Sequence, residues 1–95
     1  MYIILLRFAD NRGQAGQFMD GHNAWIKQGF DDGVFLLVGK LQPDAGGAIL
    51  AAGEERESLD ARVASDPFVA EQVVAAEVLE ISPAKADERL QFLAG

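Results

Sequence analysis

Cysteine is absent from this 95-residue chain. Disulfide staples, thiolate metal ligands and a cysteine nucleophile are therefore all excluded. Histidine occurs once, as His22, and the carboxylates are scattered, so no metal-ligand set is legible. Basic residues are few: 8 Lys and Arg stand against 15 Asp and Glu, a net charge of −7. An acidic field repels phosphate backbones and argues against nucleic-acid binding. No apolar run approaches the roughly 20 residues of a membrane helix. The opening Met1-Tyr2-Ile3-Ile4-Leu5-Leu6 meets Arg7 at once; it is too short for a signal-peptide core and reads as a strand. The expectation is a cytoplasmic protein with no membrane partner, formed as one domain over residues 1–95.

The chain reads as a succession of strands and helices. The first strand is Tyr2 to Phe8, and Asp10-Asn11-Arg12-Gly13 supplies turn chemistry after it. A helix from about Gln14 to Phe30 carries Ala15, Phe18, Trp25, Ile26 and Phe30 at helical spacing, and Gly33 follows it. Val34 to Val38 and Ala48 to Ala52 are the second and third strands, a hairpin joined by a loop of turn formers. Ser58 is the expected N-cap of a helix to Ala64. Asp66-Pro67 then has the cap-and-proline form that opens a further short turn. Val73 to Ile81 is the fourth strand, and Ser82-Pro83 is read as opening a final amphipathic helix with Ala86, Leu90 and Leu93 on one face, before Gly95.

The order βαββαβ plus a C-terminal helix defines an α+β, ferredoxin-like antiparallel sheet with two helices on one face. Its strands do not alternate. Val34-Phe35-Leu36-Leu37-Val38 and Ala48-Ile49-Leu50-Ala51-Ala52 are apolar throughout, as expected when both sheet faces are covered. Helices cover one face. A second copy of the chain is the economical cover for the other, giving a homodimer or higher homo-oligomer in which two sheets form a dimeric α/β barrel.

Few polar residues are placed to do chemistry. His22 shares the apolar stripe of the first helix, where an imidazole can act as general acid or base or sit as a hydrogen-bonded structural group. Asp66 caps a helix in one reading and orients His22 in the other, and one carboxylate can serve both roles. Arg7, amid apolar residues of the first strand, is either a binding group for an anionic substrate or a salt-bridge partner of Asp10 or a Glu. Trp25 and Phe35 are core residues. Gly39, Gly46 and Gly47 lack the spacing of a nucleotide-binding loop, and no hydrolase nucleophile elbow is present, so no cofactor is expected.

Taken together, His22 within the first helix, Gly33 before an apolar strand ending at Gly39, the Gly46-Gly47 pair, and Ser58-Leu59 leading to Asp66-Pro67-Phe68 resemble the YCII-related proteins over nearly the whole chain. The resemblance implies a dimeric α/β barrel and a pocket dyad carried by His22 and Asp66. Similarity to muconolactone-isomerase-like and dehalogenating lyases of the same superfamily implies proton transfer on a small organic substrate, aromatic-derived substrates included. Two features depart from that family: Gly39-Lys40 stands where Gly-Pro is common, and the expected C-terminal helix is longer, as a cover for a pocket or an extension of the dimer contact. The expected function is a cofactor-independent lyase or isomerase; the competing readings are a non-catalytic ligand-binding or interaction module and a cofactor-free monooxygenase.

Overall fold

The protein was analysed as a computed structural model that describes residues 1–94; Gly95 lies outside the described residues. Four strands, β1 (Tyr2–Phe8), β2 (Phe35–Leu41), β3 (Gly46–Ala51) and β4 (Val74–Glu80), form one antiparallel sheet in the order β2-β3-β1-β4. Helix α1 (Ala15–Asp31) joins β1 to β2, while α2 (Arg56–Ala64) and the single-turn α3 (Pro67–Ala70) join β3 to β4. This is the ferredoxin-like α+β arrangement.

The register sorts every strand residue onto a face. Tyr2, Ile4 and Leu6 of β1 are opposed by Ala51, Ile49 and Gly47 of β3, and side chains on paired positions share a side. With Phe35, Leu59, Val63, Phe68, Val73 and Val74 they make the buried core beneath the helices. Leu59 and Val73 are wholly inaccessible, and side chains of that kind each contribute about 1.5–3 kcal/mol on burial. Helix α1 packs closely because Gly29 faces the Phe35 ring, and a Cβ at 29 would overlap that ring.

The alternate positions Ile3 and Leu5 of β1, Leu50 of β3, Leu37 of β2 and Leu79 of β4 point to the opposite face. Leu37 is 61% exposed there. The unbroken apolar strands thus have an origin in structure: one phase feeds the core and the other forms a largely apolar sheet surface, interrupted by Arg7 and Glu77.

The elements differ from the sequence reading in three places. The hairpin strands run closer to their turn than expected: β2 continues past Val38 to Leu41 and β3 begins at Gly46, not Ala48, because Lys40 pairs with Gly47 and Leu41 with Gly46. Helix α2 starts at Arg56, with Glu55 at the cap position, so Ser58 lies inside it. Arg56 and Glu57 are good helix formers, Glu57 suits the positive end of the helix, and Arg56 pairs with Asp60 one turn on. The helix expected after Ser82-Pro83 does not form there: a 3-10 turn spans Glu88–Leu90 and α4 only Gln91–Ala94. Asp87 takes the cap, accepting the Arg89 amide at 2.9 Å. Leu90 and Phe92 remain exposed, and without a buried apolar face a segment this short does not sustain a longer helix.

Candidate functional site

Asp66 follows α2, where Ser65 ends the helix and Pro67 starts the next turn. Its side chain is fully buried, and Oδ1 accepts the Phe68 backbone N–H at 3.0 Å. The same oxygen lies 2.8 Å from Nδ1 of His22, which α1 projects across 44 residues of sequence. The cap and the histidine contact, two roles the sequence allows to one carboxylate, fall on the same oxygen.

A carboxylate has no proton to give, so Nδ1–H of His22 donates to Asp66. The proton position on the ring follows: in the neutral imidazole Nε2 carries the lone pair. Stacking fixes the ring plane as well, with Phe68 parallel to it at 3.9 Å between centroids and 4° between planes. Trp25 stacks from further away, at 5.9 Å, and is itself anchored by its indole N–H to the Arg62 carbonyl at 2.9 Å. The Arg62 guanidinium bridges Glu54 and Asp32; the Glu54 hydrogen bond, with help from Asp32, holds it above the ordinary arginine range despite partial burial.

The second carboxylate oxygen of Asp66, Oδ2, is buried without a hydrogen-bond partner. An under-satisfied buried carboxylate is costly to keep, so its pairing with His22 and Phe68 carries weight. Replacing Asp66 with Ala deletes the cap as well as the histidine contact, and a lost cap alone costs about 0.5–2 kcal/mol. We expect the Asp66→Ala variant to unfold at lower urea than Asp66→Asn, which retains a cap oxygen; equal midpoints would refute the cap's contribution.

His22 lines a cavity of about 220 Å³ between α1 and the sheet. Met19, Asn23 and Ile26 share its helical wall, Leu6, Phe8 and Ile49 form the sheet wall, and Phe68 closes one side. Gly47 projects toward the helices by its pairing with Leu6, and with hydrogen for a side chain it leaves that space free. Lys40 is the one cationic residue of the lining, and no Asp or Glu contributes to it.

Arg7 is placed elsewhere. In a strand of period two, Leu6 and Phe8 face the helices and Arg7 faces the opposite surface, where it binds Glu77 at 2.7 Å. It does not line the cavity; the salt-bridge alternative describes its contact. The sequence reading missed Lys40, Asn23 and the stacking role of Phe68. That reading ends the second strand before Lys40 and places it in the loop, whereas β2 continues through it to Leu41.

No known family profile matches the chain, and no curated protein matches it. Among solved structures, the chain is similar to 5-chloro-2-hydroxyhydroquinone dehydrochlorinase from Burkholderia phenoliruptrix AC1100, in complex with 2,5-dihydroxybenzoquinone, with a TM-score of 0.60 and 16% sequence identity over 85% of this chain and 93% of that one. The likeness establishes a shared fold.

Proposed function

We propose that this chain is a YCII-type enzyme that moves a proton on a small organic molecule without a cofactor, as a lyase or isomerase. The observation that carries the reading is the arrangement of one ring: Nδ1 of His22 is tied to buried Asp66, and the same side chain borders an apolar cavity. With Nδ1 occupied, Nε2 is the nitrogen available to a ligand. In the proposed step Nε2 takes a proton from the substrate. The electron pair left behind either expels a leaving group, giving a lyase, or shifts a double bond, giving an isomerase in which the proton is returned at a second atom. Asp66 acts through His22: it holds the ring and stabilises the imidazolium.

No described helix is long and apolar enough to cross a membrane, which is compatible with the cytoplasmic location included in this proposal. The dehydrochlorination performed by the structural neighbour makes chlorinated hydroquinones a rational first panel, read by chloride release and by deuterium uptake from solvent. Turnover that depends on His22 supports the assignment. Binding without turnover in every member favours the non-catalytic module, and turnover independent of His22 removes the dyad.

We also propose that the working unit is a homodimer closed through the open sheet face. Ile3, Leu5, Leu37, Leu50 and Leu79 share that face by register, a contiguous apolar surface of the type that marks an interface. Sedimentation at micromolar concentration is expected to give twice the chain mass, and Leu37→Asp is expected to give monomer, since burying one leucine is worth about 1.5–3 kcal/mol and burying a charge in its place is unfavourable. A wild-type monomer, or a Leu37→Asp dimer of undiminished affinity, would rule out this interface.

A further inference from the structure

The acidic chain has 8 basic side chains, and the structure accounts for most of them. Arg7, Arg12, Lys27, Arg56, Arg62 and Arg89 are each paired with a carboxylate. Lys40 and Lys85 have no such partner among the described residues. Only one of those two, Lys40, lines the cavity that His22 borders. It reaches the cavity from β2, on the sheet side, while His22 comes from α1, so the two lie on facing walls.

A second concavity adjoins the first and shares Phe8, Lys40 and Gly46 with it. There the lining turns polar, with Gln42 and Asp44. Asp44 is already held by Arg12 at 2.6 Å, and the Arg12 guanidinium also lies over the Phe8 ring, 3.9 Å from its centroid. Lys40 therefore stands where an apolar chamber opens to a polar mouth, with the neighbouring carboxylate taken by another cation. A charge kept at such a place serves a ligand better than it serves the fold, because it forms no internal contact to stabilise.

We propose that Lys40 is the anion-binding residue of the His22 cavity, and that the ligand is a single-ring organic anion, a carboxylate or phenolate, with its ring inside and its charge at the mouth. The size agrees. An apolar cavity of roughly 150 Å³ accepts benzene, and this one measures about 220 Å³, enough for one ring with substituents. The proposal rests on the cavity being the functional site and supplies the substrate class for the proton transfer proposed above.

Benzoate and benzamide test it, being matched in shape and different in charge. Titration calorimetry at low salt is expected to show benzoate binding the wild-type protein about fivefold more tightly than benzamide, the scale of a partly exposed ion pair, with the preference shrinking as salt is added. Lys40→Gln should erase the preference and leave benzamide unaffected, whereas Lys40→Arg and Lys85→Gln should keep it; the last variant controls for net charge. Equal affinities in the wild type, a preference that survives in Lys40→Gln, or no benzoate binding at millimolar concentration overturns the assignment. Because binding is read without turnover, the two proposals fail separately. A preference that depends on Lys40, in a protein whose turnover ignores His22, keeps the anion site and removes the dyad.

Discussion

Substituting His22 with Gln lowers turnover of a substrate from the chlorinated hydroquinone panel by about a hundred- to ten-thousandfold, the usual contribution of a positioned general acid or base. Glutamine preserves much of the side-chain volume against Phe68 but takes a hydrogen-bond partner from the buried Asp66 carboxylate. Circular dichroism should therefore stay close to wild type, the thermal midpoint should drop, and the fall in kcat is to be read well below that midpoint. Asp66→Asn behaves differently, for a reason visible in the cap. The atom at the Oδ1 position must accept the Phe68 N–H, which forces the amide oxygen of Asn to occupy it and directs the NH2 toward the buried Oδ2 site. That oxygen can still accept from Nδ1, so the proton stays on the same ring nitrogen. What disappears is the negative charge that stabilises the imidazolium. A hydrogen bond to a charged group contributes about 1.5–3 kcal/mol, so the expected loss is roughly ten- to a hundredfold, smaller than for His22→Gln. If Asp66→Asn were the more damaging of the two with its fold intact, a positioning role for Asp66 would be wrong.

The largest effect on stability is expected at Gly46. It opens β3 with φ at +130°, and a Cβ there would collide with the Leu6 carbonyl oxygen of β1. Both the backbone conformation and the space exclude a side chain. Gly46→Ala should cost about 2–3 kcal/mol, combining backbone strain with overpacking, and lower Tm by about 10–20 °C in a domain of this size. The contrast is Gly16, in the first turn of α1, where a Cβ meets nothing within 4 Å; there alanine should stabilise by about 0.5–1 kcal/mol through helix propensity. Differential scanning calorimetry of the pair decides the matter, and equal midpoints would contradict it. The damage at Gly46 would reach the site too, since this residue borders both the His22 cavity and its polar mouth.

The parts of the fold that could be read from sequence are those where local chemistry and tertiary packing agree. Tyr2–Phe8 is the strand expected, because an apolar, β-branched run bounded by Asp10 and Asn11 has no competing structure. Asp66-Pro67 is the helix opening expected, because cap and proline act within two residues. The final helix does not form after Ser82-Pro83, which has the same local form, because the residues that follow bury no continuous apolar face, with Leu90 and Phe92 exposed. Arg7 shows a different limit. In Ile3-Ile4-Leu5-Leu6 every residue is apolar, so the run gives no phase for the strand, and the face Arg7 takes is set by its register with β3 and β4. The His22–Asp66 contact was legible only as a possibility, since helical spacing turns His22 inward but does not bring α3 beneath it. Lys40 was missed for a related reason: Gly39, Gln42 and Pro43 around it have loop chemistry, and only its pairing with Gly47 keeps it in β2 beside the chamber.

One oxygen serving two donors also makes the site observable without a substrate. The Phe68 backbone proton and the His22 ring proton terminate on the same acceptor, so any excursion that unwinds the short α3 turn releases both together. Solvent exchange of a single amide, that of Phe68, thereby becomes a clock for how often the imidazole loses its anchor. Variants that speed this clock while leaving the rest of the sheet protected would mark the segment whose breathing sets how long the base remains aimed.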